Sequence, residues 1–228
     1  MSPQQDSKAF KVLCLHGIGT NCEILKLQTA SLRQYLPSEC TYDWYPGLYP
    51  SPPAPGIREM FGTNQQCFSY FDGSAKGGME AVDKLADHLL THGPFDTVLA
   101  FSMGGSLAAT LLLRPDEQDP RLREAKSNIK SVMFLSSIMP SGWDELESGR
   151  VTFLKANKVP EEERIAIPTV HAWSNKDVHY PGMAKQVMNM CKEETRVEVK
   201  HSAGHGIPNV QEEARELGKV ITEMLERV

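Results

Sequence analysis

Serine, aspartate and histidine appear in this chain in an order and in settings that suit nucleophilic catalysis. Ser102 lies in Ala100-Phe101-Ser102-Met103-Gly104, directly after the apolar run Val98 to Phe101 and before the Ala/Leu-rich stretch Ser106 to Leu113. A serine at such a strand-to-helix turn is pushed out of the sheet beside a helix N-terminus, the geometry of the G-x-S-x-G turn with Ala100 in the first glycine position. A serine hydroxyl is a weak nucleophile near neutral pH and needs a base in contact with it. His205, flanked by Gly204 and Gly206, supplies that base on a loop free to bring the ring over Ser102. Asp177 follows the strand Ile167 to Trp173 and fits the group that fixes the histidine tautomer. The tetrahedral intermediate then needs two backbone N–H donors. Met103 at the helix start and Ile18 in His16-Gly17-Ile18-Gly19 fit that role.

These residues must be positioned by elements that the sequence also declares. Phe10 to Leu15 reads as a core strand, followed by a helix over 23–35, a Thr- and aromatic-rich strand over 40–45 and a helix over 78–92 that stops at Gly93-Pro94. After the central strand come a polar, exposed stretch over 114–128, a buried strand over 129–136 and a mixed region with a helix over 143–154. A strand at 167–173, a helix over 181–191, an alternating strand over 195–201 with Val197 and Val199 on one face, and a helix over 209–226 complete the chain. Alternating strands and helices predict an α/β protein, a mostly parallel sheet covered by helices on both faces. In such a sheet the chemistry gathers at the carboxyl ends of the strands, where Ile18, Ser102, Asp177 and His205 all fall.

From Pro46 to Gly78 the periodicity is lost, and five prolines accompany Tyr49, Met60, Phe61, Phe68, Tyr70 and Phe71. A segment this long without clear structure reads as a loop-rich, lid-like insertion in a single domain spanning 1–228. Its aromatics wall an apolar pocket or pin the loop to the core; on the first reading Tyr49, Phe61, Phe68 and Tyr70 touch substrate. His16 beside the donor loop and His179 beside Asp177 are further candidate substrate contacts.

Composition narrows the rest. The chain has 228 residues, 40% hydrophobic and 23% charged, with a formal net charge of −5 and no Lys/Arg block, which speaks against nucleic acid and anionic membranes as partners. The polar start Met1 to Lys8 has no apolar signal region, and no apolar run reaches membrane-span length. Five scattered cysteines without C-x-x-C spacing imply free thiols and a reducing, cytoplasmic setting. No metal set emerges: His88 and His92 sit four residues apart but lack the carboxylate that H-E-x-x-H supplies, and no organic cofactor is called for. His201 competes with His205 for the base, and Asp144 and Glu145 with Asp177 for the acid. His171, inside a strand, reads as a core histidine.

The chain order nucleophile, acid, histidine is that of the α/β-hydrolases. The segments LCLHGIGTN, PAPGI, AFSMGG, SNKD and HSAGHGIP, spread over nearly the whole chain, resemble the FSH-type family of small serine hydrolases found widely in fungi. The resemblance implies an α/β-hydrolase fold and Ser102, Asp177 and His205 as a triad. It further implies an acyl ester or thioester as substrate, in the specific version a polyketide chain carried by the acyl carrier protein of a polyketide synthase. A general carboxylesterase and a non-catalytic binding module on the same fold are the alternatives. Two positions differ from the family pattern: Ala100 stands for glycine, and Ser174-Asn175 precedes the acid where glycine is common.

Overall fold

The computed structural model describes residues 9–228; the polar start Met1 to Lys8 lies outside them. Among the described residues eight strands and nine α-helices follow in chain order. They are β1 (Phe10–Leu15), α1 (Cys22–Gln28), α2 (Ala30–Arg33), β2 (Cys40–Tyr45), β3 (Tyr49–Ser51), α3 (Ile57–Phe61), β4 (Cys67–Ser69) and α4 (Ala75–His92) in the first part. Then come β5 (Thr97–Phe101), α5 (Met103–Leu113), α6 (Pro120–Ser127), β6 (Val132–Leu135), α7 (Trp143–Glu147), β7 (Thr169–Trp173), α8 (Met183–Met188), β8 (Arg196–Lys200) and α9 (Gln211–Leu225).

Six strands form one sheet in the order β2-β1-β5-β6-β7-β8, and every neighbouring pair in it is parallel. Successive side chains on a strand face opposite sides, so the continuous apolar runs feed two cores. Leu13, Leu15, Val98, Ala100, Val132 and Phe134 pack on one side with α4, α5 and α6. Cys14, Leu99, Phe101, Met133, Leu135 and Ala172 pack on the other with α1, α2 and α9. A parallel sheet covered by helices on both faces is the α/β-hydrolase fold that the strand pattern and the chain order led one to expect.

Several elements differ from the sequence reading for local reasons. The expected helix over 23–35 breaks at Thr29, which closes α1 and opens α2; its hydroxyl turns back to the carbonyl of Leu25 at 2.8 Å. The polar stretch after α5 contains α6, capped by Asp119, and its Leu122 and Ala125 are fully buried. Helix α7 stops at Glu147, well short of 154. On β8, Val199 is buried but Val197 is exposed, because β8 is an edge strand. The segment 46–78 is not irregular throughout. β3 and β4 pair antiparallel, and helix α3 lies between them.

The sheet's strand order reverses between β1 and β5, the kind of switch point where a ligand crevice opens beyond the carboxyl ends. Leu15 pairs with Ala100 at the ends of these two strands, so the loops that follow start side by side. The approach is closest on the helix side: a Cβ on Gly104 would overlap the backbone carbonyl of Leu15, and one on Gly105 would overlap the Ser137 side chain. Ala100 itself is an ordinary buried strand residue, so its methyl is accommodated there. Gly104→Ala is therefore expected to destabilise by roughly 1–3 kcal/mol, the usual cost of overpacking. Gly78→Ala on α4, whose Cβ would meet only the Leu146 side chain at 3.2 Å, should stay within about 1 kcal/mol of wild type because the helix propensity gained offsets the crowding. Urea unfolding of both variants checks the contrast.

Candidate active site

Ser102 occupies a sharp turn with φ 52 and ψ −113. For a residue other than glycine this is a strained conformation. It is held on both sides: its N–H donates to Leu135 O at 3.0 Å and its carbonyl accepts from Ile138 N–H at 3.3 Å. The turn carries the hydroxyl to the rim of the sheet, where Oγ lies 2.8 Å from Nε2 of His205. The other ring nitrogen, Nδ1, lies 2.7 Å from Oδ2 of Asp177. An ionised carboxylate can only accept, so Nδ1 carries the proton and Nε2 is left as the acceptor for the serine hydroxyl.

Each partner is braced by its own loop. Oδ1 of Asp177 accepts the backbone N–H groups of His179 at 3.0 Å and Tyr180 at 2.9 Å. The turn leading to it closes through Ser174, whose hydroxyl oxygen accepts from Lys176 N–H at 3.1 Å and whose carbonyl accepts from Asp177 N–H at 3.2 Å. Neither Ser174 nor Asn175 takes a positive φ, so glycine is not needed before this acid. The loop of His205 is tied down by Ser136, which donates to Gly206 O at 2.8 Å. Tyr180 lays its ring against the imidazole of His205 with centroids 4.6 Å apart, and Phe101 does so at 5.7 Å.

Met103 is the first residue of α5, so its N–H has no acceptor within the helix and sits beside Ser102. Ile18 lies across the same opening on the loop after β1, in the wall of a cavity of about 240 Å³ that also includes Ser102, His205, His179 and Tyr180. The Ile18 loop is clamped from outside. Gly19, at φ 65, donates to Phe68 O at 3.0 Å and accepts from Ala54 N–H at 2.9 Å, and Phe68 N–H donates to Thr20 O at 2.8 Å.

The remaining predicted contacts divide. His179 lines the cavity, and Tyr49 lines an adjoining cleft of about 420 Å³ with Ile18 and Met103, its hydroxyl donating to Glu80 Oε2 at 3.2 Å. The other four stand behind the cavity. His16 and Tyr70 are fully buried, the Tyr70 hydroxyl accepting from His16 N–H at 2.6 Å. The His16 ring donates from Nδ1 to Gly17 O at 2.7 Å, and burial lowers its pKa, opposed by that bond. Phe61 packs with Ile24 and Ile57, and Phe68 supplies backbone to the clamp. His16, Tyr70 and the backbone of Phe68 support the loop after β1, and none of the four lines this cavity.

The competing residues are likewise occupied elsewhere. His201 is buried and takes Ala203 N–H on Nδ1 at 3.2 Å, propping the turn that leads to His205. His171 bonds Thr169 Oγ1 at 3.0 Å and stacks on Phe134, and burial lowers its pKa to about 3. Glu145 pairs with Arg150 at 2.6 Å, and His88 pairs with Asp43 at 2.9 Å. Among the described residues no group of three or more His, Cys, Asp or Glu is placed to hold a metal ion. None of their helices is long and apolar enough to cross a membrane. The cavity walls that the sequence reading did not single out are Gln28, Ala54, Pro55, Ile57, Phe101 and Tyr180. The PAPGI string held three of them; Gln28 gives no local signal, because only the fold turns the end of α1 toward the site.

The serine hydrolase (FSH1) family model matches residues 4–217. The chain belongs to that serine hydrolase family. It is 36% identical to the esterase FPY3 of Fusarium mangiferae over 93% of this chain and 97% of that one. It is 25% identical to the hydrolase FUB4 of Fusarium oxysporum f. sp. lycopersici, over 94% and 98%. Among solved structures, acyl-protein thioesterase 2 of Zea mays superposes with a TM-score of 0.62 at 19% identity, covering 97% of this chain and 96% of that one. As a member of this family the protein is a hydrolase. The loop after β1 rests on the bond between Tyr70 and His16, and Tyr70→Phe would leave a buried N–H without its acceptor. A loss of about 1–3 kcal/mol is expected, measured as a shift of the urea unfolding midpoint against wild type.

Proposed function

We propose that this serine hydrolase cleaves an acyl ester or thioester through an acyl-enzyme on Ser102, with His205 as general base and Asp177 as its orienting acid. The observation that carries this reading is the hydrogen-bonded line from Ser102 Oγ through both ring nitrogens of His205 to Asp177 Oδ2, at 2.8 and 2.7 Å. As Oγ attacks the carbonyl carbon, its proton passes to Nε2. The new oxyanion takes hydrogen bonds from the N–H groups of Met103 and Ile18. Nε2 then returns the proton to the departing oxygen or sulfur, leaving the acyl group on Ser102. Water repeats the sequence, losing a proton to Nε2 as it attacks the acyl carbon and so freeing the acid. Asp177 stays ionised and stabilises the imidazolium in both halves.

The cavity beside Ser102 presents Ile18, Ala54, Pro55, Ile57 and Phe101, which supports an apolar acyl group. The names of the relatives as esterases and hydrolases fit the same substrate class. In its specific form the proposed substrate is a polyketide-like chain on a carrier protein, released in fungal secondary metabolism.

A fluorophosphonate probe should label wild type and leave Ser102→Ala unlabelled. Ser102→Ala and Asp177→Asn should each lower kcat/KM for a p-nitrophenyl ester by on the order of 10³-fold or more; rates equal to wild type would remove the mechanism. For the specific substrate, the same acyl group is presented on a carrier protein and as a free ester. A higher kcat/KM on the carrier supports chain release, and parity returns the protein to a general carboxylesterase.

A further inference from the structure

The cavity beside Ser102 mixes the apolar side chains of Ile18, Ala54, Pro55, Ile57 and Phe101 with polar ones. Cavities of this kind gain specificity from a small number of polar groups. Besides Ser102 and His205, four polar side chains line it: Thr20, Gln28, His179 and Tyr180. The Thr20 hydroxyl is already committed, donating to Gly17 O at 2.7 Å. Gln28 is not. It ends α1, borders the cavity, and its amide oxygen is shut off from solvent with no hydrogen-bond partner in the protein. Buried polar atoms are nearly always paired, so an unpaired one beside a ligand cavity calls for a partner. As it stands the oxygen is closed to the cavity as well as to solvent, but the last torsion of a glutamine side chain is broad and roughly two-fold, so rotation of the amide brings its oxygen or its N–H to the cavity.

We infer that Gln28 is a specificity residue that recognises a hydroxyl group on the part of the substrate filling this cavity. A hydroxyl can donate to the amide oxygen or accept from its N–H, so it pairs with the amide in either orientation. The preferred substrates are therefore hydroxylated acyl chains or hydroxylated alcohols, not plain hydrocarbon ones. This rests on the reading of Ser102 as the nucleophile.

The test compares matched pairs. One arm uses p-nitrophenyl hexanoate against its 3-hydroxy and 5-hydroxy derivatives; the other uses butyl and 3-hydroxybutyl esters of a single acid. The readout is the ratio of kcat/KM, hydroxylated to plain, in wild type, Gln28→Met and Gln28→Glu. A ratio does not depend on the fraction of correctly folded enzyme. The inference expects the ratio in one arm to fall about tenfold in Gln28→Met. Gln28→Glu, which still accepts from a hydroxyl, should keep at least half of the wild-type ratio. The arm that responds tells whether the acyl or the alcohol half occupies the cavity. Ratios within twofold of wild type in both arms for Gln28→Met overturn the inference. So does an equal fall in Gln28→Glu, which would make shape and not hydrogen bonding the cause. Failure of the parent reading looks different: turnover of the plain esters would then survive Ser102→Ala.

Discussion

The turn at Ser102 is the constraint from which the site follows. A side chain held at φ 52 between β5 and α5 is costly, of order 1–3 kcal/mol for such a conformation. It persists because the surroundings leave it no alternative. Its N–H and carbonyl are both spent on the chain at and just after β6. The start of α5 presses so closely on β1 that Gly104 has no room for a side chain. Relaxing the turn would break those bonds or part the helix from the sheet. The strain is thus borne by the centre of the fold, and what it yields is a hydroxyl standing clear of the backbone beside a free helix N–H.

Around that point the fold works by parallel strands ending at a common edge. β1, β5, β6 and β7 deliver respectively the Ile18 loop, Ser102, the Ser136 anchor and Asp177, and the loop after β8 brings His205. No two of Ile18, Ser102, Asp177 and His205 share a secondary-structure element. Their mutual geometry is set by strand register, with Leu15 beside Ala100, Phe101 beside Leu135 and Leu135 beside Ala172. A register is a discrete quantity, since slipping it by one residue would turn every side chain of a strand to the opposite face. That is why hydrogen-bond distances of 2.8 and 2.7 Å are reached across 103 and 28 residues of chain.

What could be read from the sequence was what depends on short-range chemistry. The unbroken run Val98 to Phe101 announced a strand buried on both faces, the glycines after Ser102 announced the tight turn, and the glycines around His205 a loop. The supports were not legible. His16 and Tyr70 looked like polar and aromatic candidates for substrate, yet they bond to each other behind the loop after β1. Their roles depend on two segments meeting across 54 residues. Gln28 and Tyr180 became cavity walls only through the packing of α1 and the turn after Asp177. Helix α6 was hidden because most of its residues face water, and only Leu122 and Ala125 turn inward.

The clamp on Gly19 carries a last implication. The segment between β2 and α4 supplies Ala54, Pro55 and Ile57 to the cavity and, through Ala54 and Phe68, also grips the loop that bears Ile18. Under the proposed mechanism, selectivity and transition-state stabilisation are therefore written into one piece of chain. Exchanging that piece for a relative's version would reset both together. A lineage that changes its substrate by remodelling this segment must rebuild the support of the Ile18 loop in the same step, which favours small substitutions at the cavity-facing side chains over wholesale replacement of the backbone.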